Sequence, residues 1–138
     1  MAVKTLFSTE DFQEILSAYD LGEFKNLKPF KTGNVQTNVL LETSRGKCVF
    51  RYYESRTENY ARFEMNVLEY LTRHEYPCPA PIRNKQCEYV SSYQDKPFVL
   101  LEFLEGEHSD SEDNGKQIAK AIGQLHTLTL HYKPDYAE

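Results

Sequence analysis

The chain has 138 residues, of which 40% are hydrophobic and 27% are charged, and its formal net charge is −5. This length favours one domain with its own core, and the acidic balance argues against a nucleic-acid or anionic-membrane surface. No stretch approaches the roughly 18 apolar residues of a membrane span. The first residues lack the apolar run of a signal peptide, so we expect a protein that has no membrane partner.

The three cysteines are Cys48, Cys78 and Cys87, an odd number at irregular spacing. A disulfide framework is therefore not expected, and the reducing cytoplasm is the default compartment. No C-x-x-C pair occurs, and the positions of His74, Cys78 and Cys87 do not match common zinc-ligand spacings. We expect a cytoplasmic protein without a structural metal.

The first element is predicted to be a helix. Ser8, followed three residues later by Asp11, resembles a capping box. Apolar residues at helical spacing then continue to Tyr19, and Gly22 is a suitable stop. Three strands are predicted next, over residues 24–32, 35–43 and 47–53. The first two are joined by a hairpin-prone Gly-Asn turn, and a Ser-Arg-Gly turn leads into the third.

The next helix, over residues 57–73, has an acidic side chain on its apolar face. Tyr60, Val67 and Leu68 lie on one helical stripe, and Glu64 falls on the same stripe. A carboxylate at such a position is costly to bury unless a cation meets it. The preceding strand has Arg51 at its centre, so we expect these two side chains to pair.

Three prolines between residues 77 and 81 interrupt the chain before two further strands, predicted over residues 87–93 and 98–103. Five strands with mostly hairpin connections indicate an α+β fold, with helices on one side of an antiparallel sheet. An acidic connector over residues 105–115 precedes a last helix over residues 116–130.

The last helix has a broad apolar face that includes Ile118, Ile122 and Leu125. Three arrangements would cover this face. The helix could fold back on the sheet, form a homodimer, or pack against the rest of a longer protein, and we favour the last.

Five stretches, in order, resemble the amino-terminal lobe of one family: aminoglycoside phosphotransferases, choline kinases and type II homoserine kinases. Residues 33–39 resemble its nucleotide loop, and residues 49–51 resemble its strand with a phosphate-contacting cation. Residues 63–68 resemble its αC-type helix, and residues 98–106 its adenine-carrying strand and hinge. Residues 118–126 resemble the first long helix of its second lobe. The resemblance implies three regions: an N-terminal helix (1–22), a kinase-like lobe (23–106), and a connector with the first helix of a truncated second lobe (107–138).

The resemblance implies an ATP site. Arg51 would hold phosphate oxygens, Glu64 would orient it, and residues 33–38 would place backbone N–H groups over the phosphates. Apolar side chains would hold adenine, and the hinge would bond its edge through backbone groups. The alternatives are a structural salt bridge, an ordinary hairpin turn and simple core packing. The nucleotide-binding residues expected from the resemblance are Gly33, Thr37, Asn38, Val39, Val49, Arg51, Glu64, Leu101, Glu102 and Leu104.

The resemblance also implies what the chain lacks. The loop has one glycine where kinases have three, and the strand cation is arginine. The family's catalytic loop and magnesium motif follow the helix at 118–126, and too few residues remain there for either. We therefore expect a chain with no catalytic residue, inactive alone, that binds ATP weakly and needs the missing lobe for magnesium.

The implied activity is transfer of the γ-phosphate of ATP to a hydroxyl of a small-molecule acceptor, and the one-glycine loop favours the homoserine-kinase branch slightly. The sequence does not distinguish homoserine from choline, an aminoglycoside or a sugar as acceptor. Two alternatives stay open. One is a non-catalytic interaction module derived from a kinase lobe, and the other is a complete small protein that dimerises through the last helix.

Overall fold

The structure, a computed structural model, describes residues 5–30, 36–104 and 112–132. Within these segments, six strands form one antiparallel sheet in the order β1-β2-β3-β6-β4, with β5 also paired to β6. None of the helices in these segments is long and apolar enough to cross a lipid bilayer. The elements, in chain order, are α1 (Thr9–Leu16), β1 (Phe24–Pro29), β2 (Thr37–Thr43), β3 (Gly46–Tyr52), α2 (Glu58–Arg73), β4 (Pro81–Ile82), β5 (Ser91–Tyr93), β6 (Lys96–Glu102) and α3 (Glu112–Thr129).

Helix α1 covers one face of the sheet. The predicted capping box is present: the Ser8 hydroxyl accepts from the Asp11 N–H, and the Asp11 carboxylate accepts from the Ser8 N–H at 2.8 Å. Phe12 is fully buried and meets Phe50 of β3 edge to face, with ring centroids 5.1 Å apart. We call the rings between α1 and the sheet the aromatic layer; they are Phe7, Phe12, Phe50, Tyr52 and Phe98.

Helix α2 covers the opposite face. It begins after Thr57, whose hydroxyl accepts from the Tyr60 N–H at 3.2 Å. Ala61 and Met65 are buried against Val99 and Leu101 of β6. Because side chains alternate along a strand, β3 and β6 each supply one set of residues to each helix.

The α+β class is confirmed, although several details differ from the sequence prediction. The helices lie on both sides of the sheet, because alternate residues of the central strands are apolar on both faces. The strand predicted over 87–93 is limited to β5, since the Asn84 side chain accepts from the backbone N–H groups of Gln86 and Glu88 and forms a turn. The short β4, with its proline, was not predicted.

Helix α3 begins one turn earlier than predicted and packs at the far end of α2. The Tyr70 hydroxyl donates to the Leu128 carbonyl at 2.6 Å, and the Tyr76 hydroxyl donates to the Ala121 carbonyl at 3.0 Å. The apolar face of α3 is only partly covered, since Ile118 and Ile122 remain half exposed. The homodimer and the longer-protein interpretations of this helix stay predictions.

Candidate functional site

Arg51 lies near the end of β3, which is hydrogen-bonded to β2 and β6 on its two sides. Its neighbours Phe50 and Tyr52 point into the aromatic layer, so the guanidinium lies on the α2 face. Nη1 donates to Glu64 Oε1, and Nε donates to Asn38 Oδ1 at 3.1 Å. The guanidinium is therefore fixed from two sides by protein acceptors.

Glu64 reaches this site from the middle of α2, as the sequence predicted. Besides Arg51, it accepts a hydrogen bond from the Tyr53 hydroxyl at 2.9 Å. Burial, together with the negative charge of Glu64, raises the pKa of Tyr53 well above its ordinary value, so the phenol stays protonated and donates. The ion pair is about one-quarter exposed (27% and 24%), and such a partly solvated pair adds only about 0–1 kcal/mol to stability.

A cleft of about 300 Å³ opens beside Arg51. Arg51 and Asn38 form its polar wall, and Val49 and Leu101, paired across β3 and β6, form an apolar wall. The backbone N–H of Glu102 is used within the protein, since it donates to the Ala80 carbonyl at 2.8 Å. The cleft thus combines a fixed cation with a flat apolar surface.

The structure brings six of the ten predicted residues to this cleft, and Glu64 lies behind Arg51. The six are Asn38, Val49, Arg51, Leu101, Glu102 and Leu104. Gly33 and the loop around it lie outside the described residues.

Two predicted residues of β2 face away from the cleft. Val39 is buried on the α1 side with Phe50 and Leu41, so the expectation that its side chain joins an adenine slot is wrong. Thr37 is also buried, and its hydroxyl donates to Glu54 at 2.7 Å. The reason is the register of β2, in which Asn38 pairs with Arg51 and its two neighbours therefore point to the other face.

The sequence interpretation missed Tyr53 and three cleft residues, Phe30, Pro79 and Phe103. A signal for Tyr53 existed, because it continues the alternation of Val49 and Arg51 along the strand. No comparable signal marks Pro79, which reaches the cleft from the segment before β4.

Larger cavities lie elsewhere in the molecule. One of about 580 Å³ lies between α3 and the turn after α2, and one of about 530 Å³ lies beside the segment before β5. We place the functional site at the smaller cleft because a cation clamped by an acid and an amide lines it. In the described part of the chain, no group of three or more His, Cys, Asp or Glu side chains is arranged to hold a metal ion.

An antiparallel sheet whose central strand carries a cation, paired with an acid on the following helix, is the arrangement of one class of protein: the amino-terminal lobe of kinase-like phosphotransferases. The chain belongs to the Phosphotransferase enzyme family, which matches residues 26–136. The suspected family is therefore confirmed.

Proteins named homoserine kinase are among the relatives of this chain. The chain is 32% identical to the homoserine kinase of Beijerinckia indica over 129 residues, which cover 91% of this chain and 40% of that protein. It is 36% identical to the homoserine kinase of Rhodopseudomonas palustris over 108 residues, covering 77% of this chain and 33% of that protein. The chain thus spans well under half the length of the curated relatives it matches.

Solved structures share the fold. An aminoglycoside phosphotransferase from Alicyclobacillus acidocaldarius has this fold, with a TM-score of 0.73 and 16% sequence identity. The superposition covers 99% of this chain and 39% of that protein. Amicoumacin kinase, in complex with AMP-PNP and Ca²⁺, also has this fold, with a TM-score of 0.72 and 16% sequence identity. The superposition covers 89% of this chain and 44% of that protein. At these identities the likeness establishes the fold class.

Proposed function

We propose that this chain forms the ATP-binding lobe of a small-molecule kinase. The observation that carries the proposal is the guanidinium of Arg51, held by Glu64 and Asn38 at the wall of an open cleft. A planar, permanently charged fork suits phosphate oxygens, because it offers several N–H donors in a fixed geometry. A purely structural ion pair would not need a cavity beside it.

The cleft suits a nucleotide in two further respects. A purine would lie against Val49 and Leu101, and the carbonyl of Glu102 and the N–H of Leu104 would bond its edge. Phe30 and Phe103 add aromatic surface at the rim. Asn38 and Arg51 would then face the phosphates. Thr37, Val39 and Gly33 would contribute through the backbone of the nucleotide loop.

The proposed reaction is attack of an acceptor hydroxyl oxygen on the γ-phosphorus of ATP. The bond between this phosphorus and the β,γ-bridging oxygen breaks, ADP leaves with that oxygen, and the hydroxyl proton passes to a base. Arg51 would spread the negative charge of the phosphates, and Glu64 with Asn38 would keep it aimed without rearrangement during the reaction.

The base and the magnesium ligands are proposed to belong to a second lobe, of which α3 is the first helix. Glu64 does not suit a divalent ion, since its carboxylate already binds Arg51 and Tyr53. When bound, Mg²⁺ would neutralise phosphate charge; the residues described here would supply the cationic side chain and the apolar slot. We expect the 138-residue chain to bind nucleotide weakly and to show no turnover alone.

Homoserine is the proposed acceptor class, since homoserine kinases are among the relatives at about 30% identity. Amino alcohols and aminoglycosides are the competing acceptors within the same family. The sites that choose among them would lie in the second lobe.

Thermal unfolding with and without Mg-ATP tests the nucleotide site. Ligand that binds only the folded state raises the melting temperature. We expect a rise for the wild-type chain, a smaller rise for Arg51→Lys, and none for Arg51→Ala.

Arg62→Ala is the matched control. Arg62 also pairs with a glutamate, Glu58, but it lies on the exposed side of α2, away from the cleft. This variant should keep the full rise. A wild-type chain that does not respond to Mg-ATP, or an Arg51→Ala variant that responds fully, would contradict the proposal and favour a non-catalytic interaction module.

A further inference from the structure

Glu54, the residue after Tyr53, carries a carboxylate that is almost completely buried, with 3% of the side chain exposed. Four donors surround it. The Thr5 N–H and hydroxyl each donate at 2.7 Å, the Thr37 hydroxyl donates at 2.7 Å, and Lys96 Nζ lies 3.4 Å away. These donors come from the segment before α1, the start of β2 and the start of β6. One carboxylate therefore ties three separate parts of the chain together.

This carboxylate stays charged in the folded protein. Burial alone would raise the pKa of Glu54, but hydrogen bonds from Thr37 and Thr5 and the nearby ammonium of Lys96 outweigh burial and lower the pKa below its ordinary value. A buried carboxylate that accepts several hydrogen bonds holds its donors in fixed positions. Losing any one donor would leave a buried negative charge with too few hydrogen bonds, which is costly.

One of these donors is next to the candidate site. Thr37 and Asn38 are consecutive at the start of β2 and point to opposite faces of the sheet. Thr37 bonds to Glu54 on the α1 side, and Asn38 accepts from Arg51 Nε on the α2 side. A shift of the first residues of β2 would therefore move the amide that orients the guanidinium.

We propose that Glu54 is a positioning residue for Arg51, acting through Thr37 and Asn38. Tyr53 and Glu54 then serve the same guanidinium from two sides: Tyr53 fixes Glu64, and Glu54 fixes the strand end that carries Asn38. Its relevance to nucleotide binding rests on the function proposed above, but its effect on Arg51 does not. The same contact couples the segment at Thr5 to the cleft.

The first test needs no ligand. Hydrogen exchange of the Arg51 Nε–H is followed by nitrogen-15 NMR, with the signal assigned by its absence in Arg51→Lys. We expect exchange to be several-fold faster in Glu54→Gln and in Thr37→Val, because the bond to Asn38 opens more often. Thr37→Ser, which keeps the hydroxyl, should restore slow exchange.

Tyr93→Phe is the control for a general loss of stability. It removes a 2.6 Å hydrogen bond to the Asp11 carboxylate, and this bond involves neither Glu54 nor Arg51. Exchange at Arg51 should be unchanged in this variant when measured well below its melting temperature. Equal exchange in wild type, Glu54→Gln and Thr37→Val would overturn the proposal, whether or not the chain binds nucleotide.

The second test measures the affinity for AMP-PNP with Mg²⁺. We expect roughly a tenfold loss in Glu54→Gln, the size of one lost hydrogen bond to a charged group. If Glu54 acts through Thr37, the double variant with Thr37→Val should lose little more than either single variant. Additive losses would contradict that route, whereas absence of binding by the wild type would count against the proposed function alone.

Discussion

The two faces of the sheet are built for different tasks. On the α1 face, aromatic rings close over the strands, and Phe12 and Phe50 have no exposed surface. On the α2 face, the same strands present Arg51 and Val49 to an open cleft. The alternation of a single strand, β3, supplies both surfaces, so neighbouring residues along it differ in what they contribute.

This contrast separates stability from binding. Apolar burial in the aromatic layer is the larger source of folding free energy. The quarter-exposed ion pair of Arg51 and Glu64 contributes little stability and is instead held in one geometry by Asn38 and Tyr53. Substitutions in the aromatic layer should therefore change stability, and those at Arg51 and its hydrogen-bonding partners should change nucleotide affinity.

The largest effect on stability is expected for Phe12→Ala. Removing a fully buried ring from the aromatic layer leaves a cavity and should lower the free energy of unfolding by about 3–5 kcal/mol. Urea denaturation measures this loss, and Leu6→Ala, at a side chain that is 93% exposed, is the control with almost no change. A loss below about 1 kcal/mol for Phe12→Ala would show that the α1 face is not the stabilising one.

A smaller effect that depends on pH is expected for Glu54→Gln. At neutral pH the variant should lose about 1.5–3 kcal/mol, since three hydrogen bonds to a charged carboxylate are weakened. The pKa of Glu54 is lowered in the folded state, so its stabilisation is fully present above the ordinary value of 4.5 and disappears as the pH falls through the folded pKa.

The difference in unfolding free energy between wild type and Glu54→Gln should therefore narrow as the pH is lowered from 7 towards 3. The groups that face Glu54 are Lys96, Thr5 and Thr37, and none of them changes charge in this range. A difference that stays constant or widens with acid would disprove this assignment.

Tyr53→Phe tests whether a hydrogen bond on the α2 face serves stability, nucleotide binding or both. It removes only the hydroxyl that donates to Glu64, so stability should fall by about 1 kcal/mol. Affinity for Mg-ATP should fall as well, because Glu64 loses one of its two partners. If only stability changed, the Tyr53 bond would be structural and the cleft would not depend on it.

The smallest effects are expected at the helix caps. Ser8→Ala on α1 and Thr57→Ala on α2 each remove a side-chain acceptor for a backbone N–H, at a cost of about 0.5–1 kcal/mol. The melting temperatures of both variants are measured with and without Mg-ATP. Only Thr57→Ala, in the helix that carries Glu64, should also reduce the rise in melting temperature caused by Mg-ATP. An equal rise in both variants would show that the cap of α2 does not influence nucleotide binding.

Local patterns were enough to predict the pairing of Arg51 with Glu64. An acid on an apolar helical stripe needs a cation, and the preceding strand offers Arg51, which lies near the end of β3. The capping box at Ser8 and the bounds of α2 were also predictable from local patterns, because the contacts that define them join residues a few positions apart. The α+β class followed from the order of these elements.

Features that depend on register between strands could not be read from the sequence. The face of Val39 depends on which residue of β3 lies opposite it, and that pairing is a long-range property. The bonds of Glu54 to Thr5 and Thr37 join positions 49 and 17 residues apart. Likewise, β4 is a strand only because β6 lies beside it, since two residues that include Pro81 give no periodic signal.

The alternation along β3 makes this strand tolerant of some changes and intolerant of others. Replacing one side chain alters one face only. Inserting or deleting a single residue between Cys48 and Tyr52 would rotate every later side chain to the opposite face and carry the guanidinium into the ring cluster under α1. We therefore expect strand length here to be far less variable than residue identity, and a one-residue indel to abolish folding.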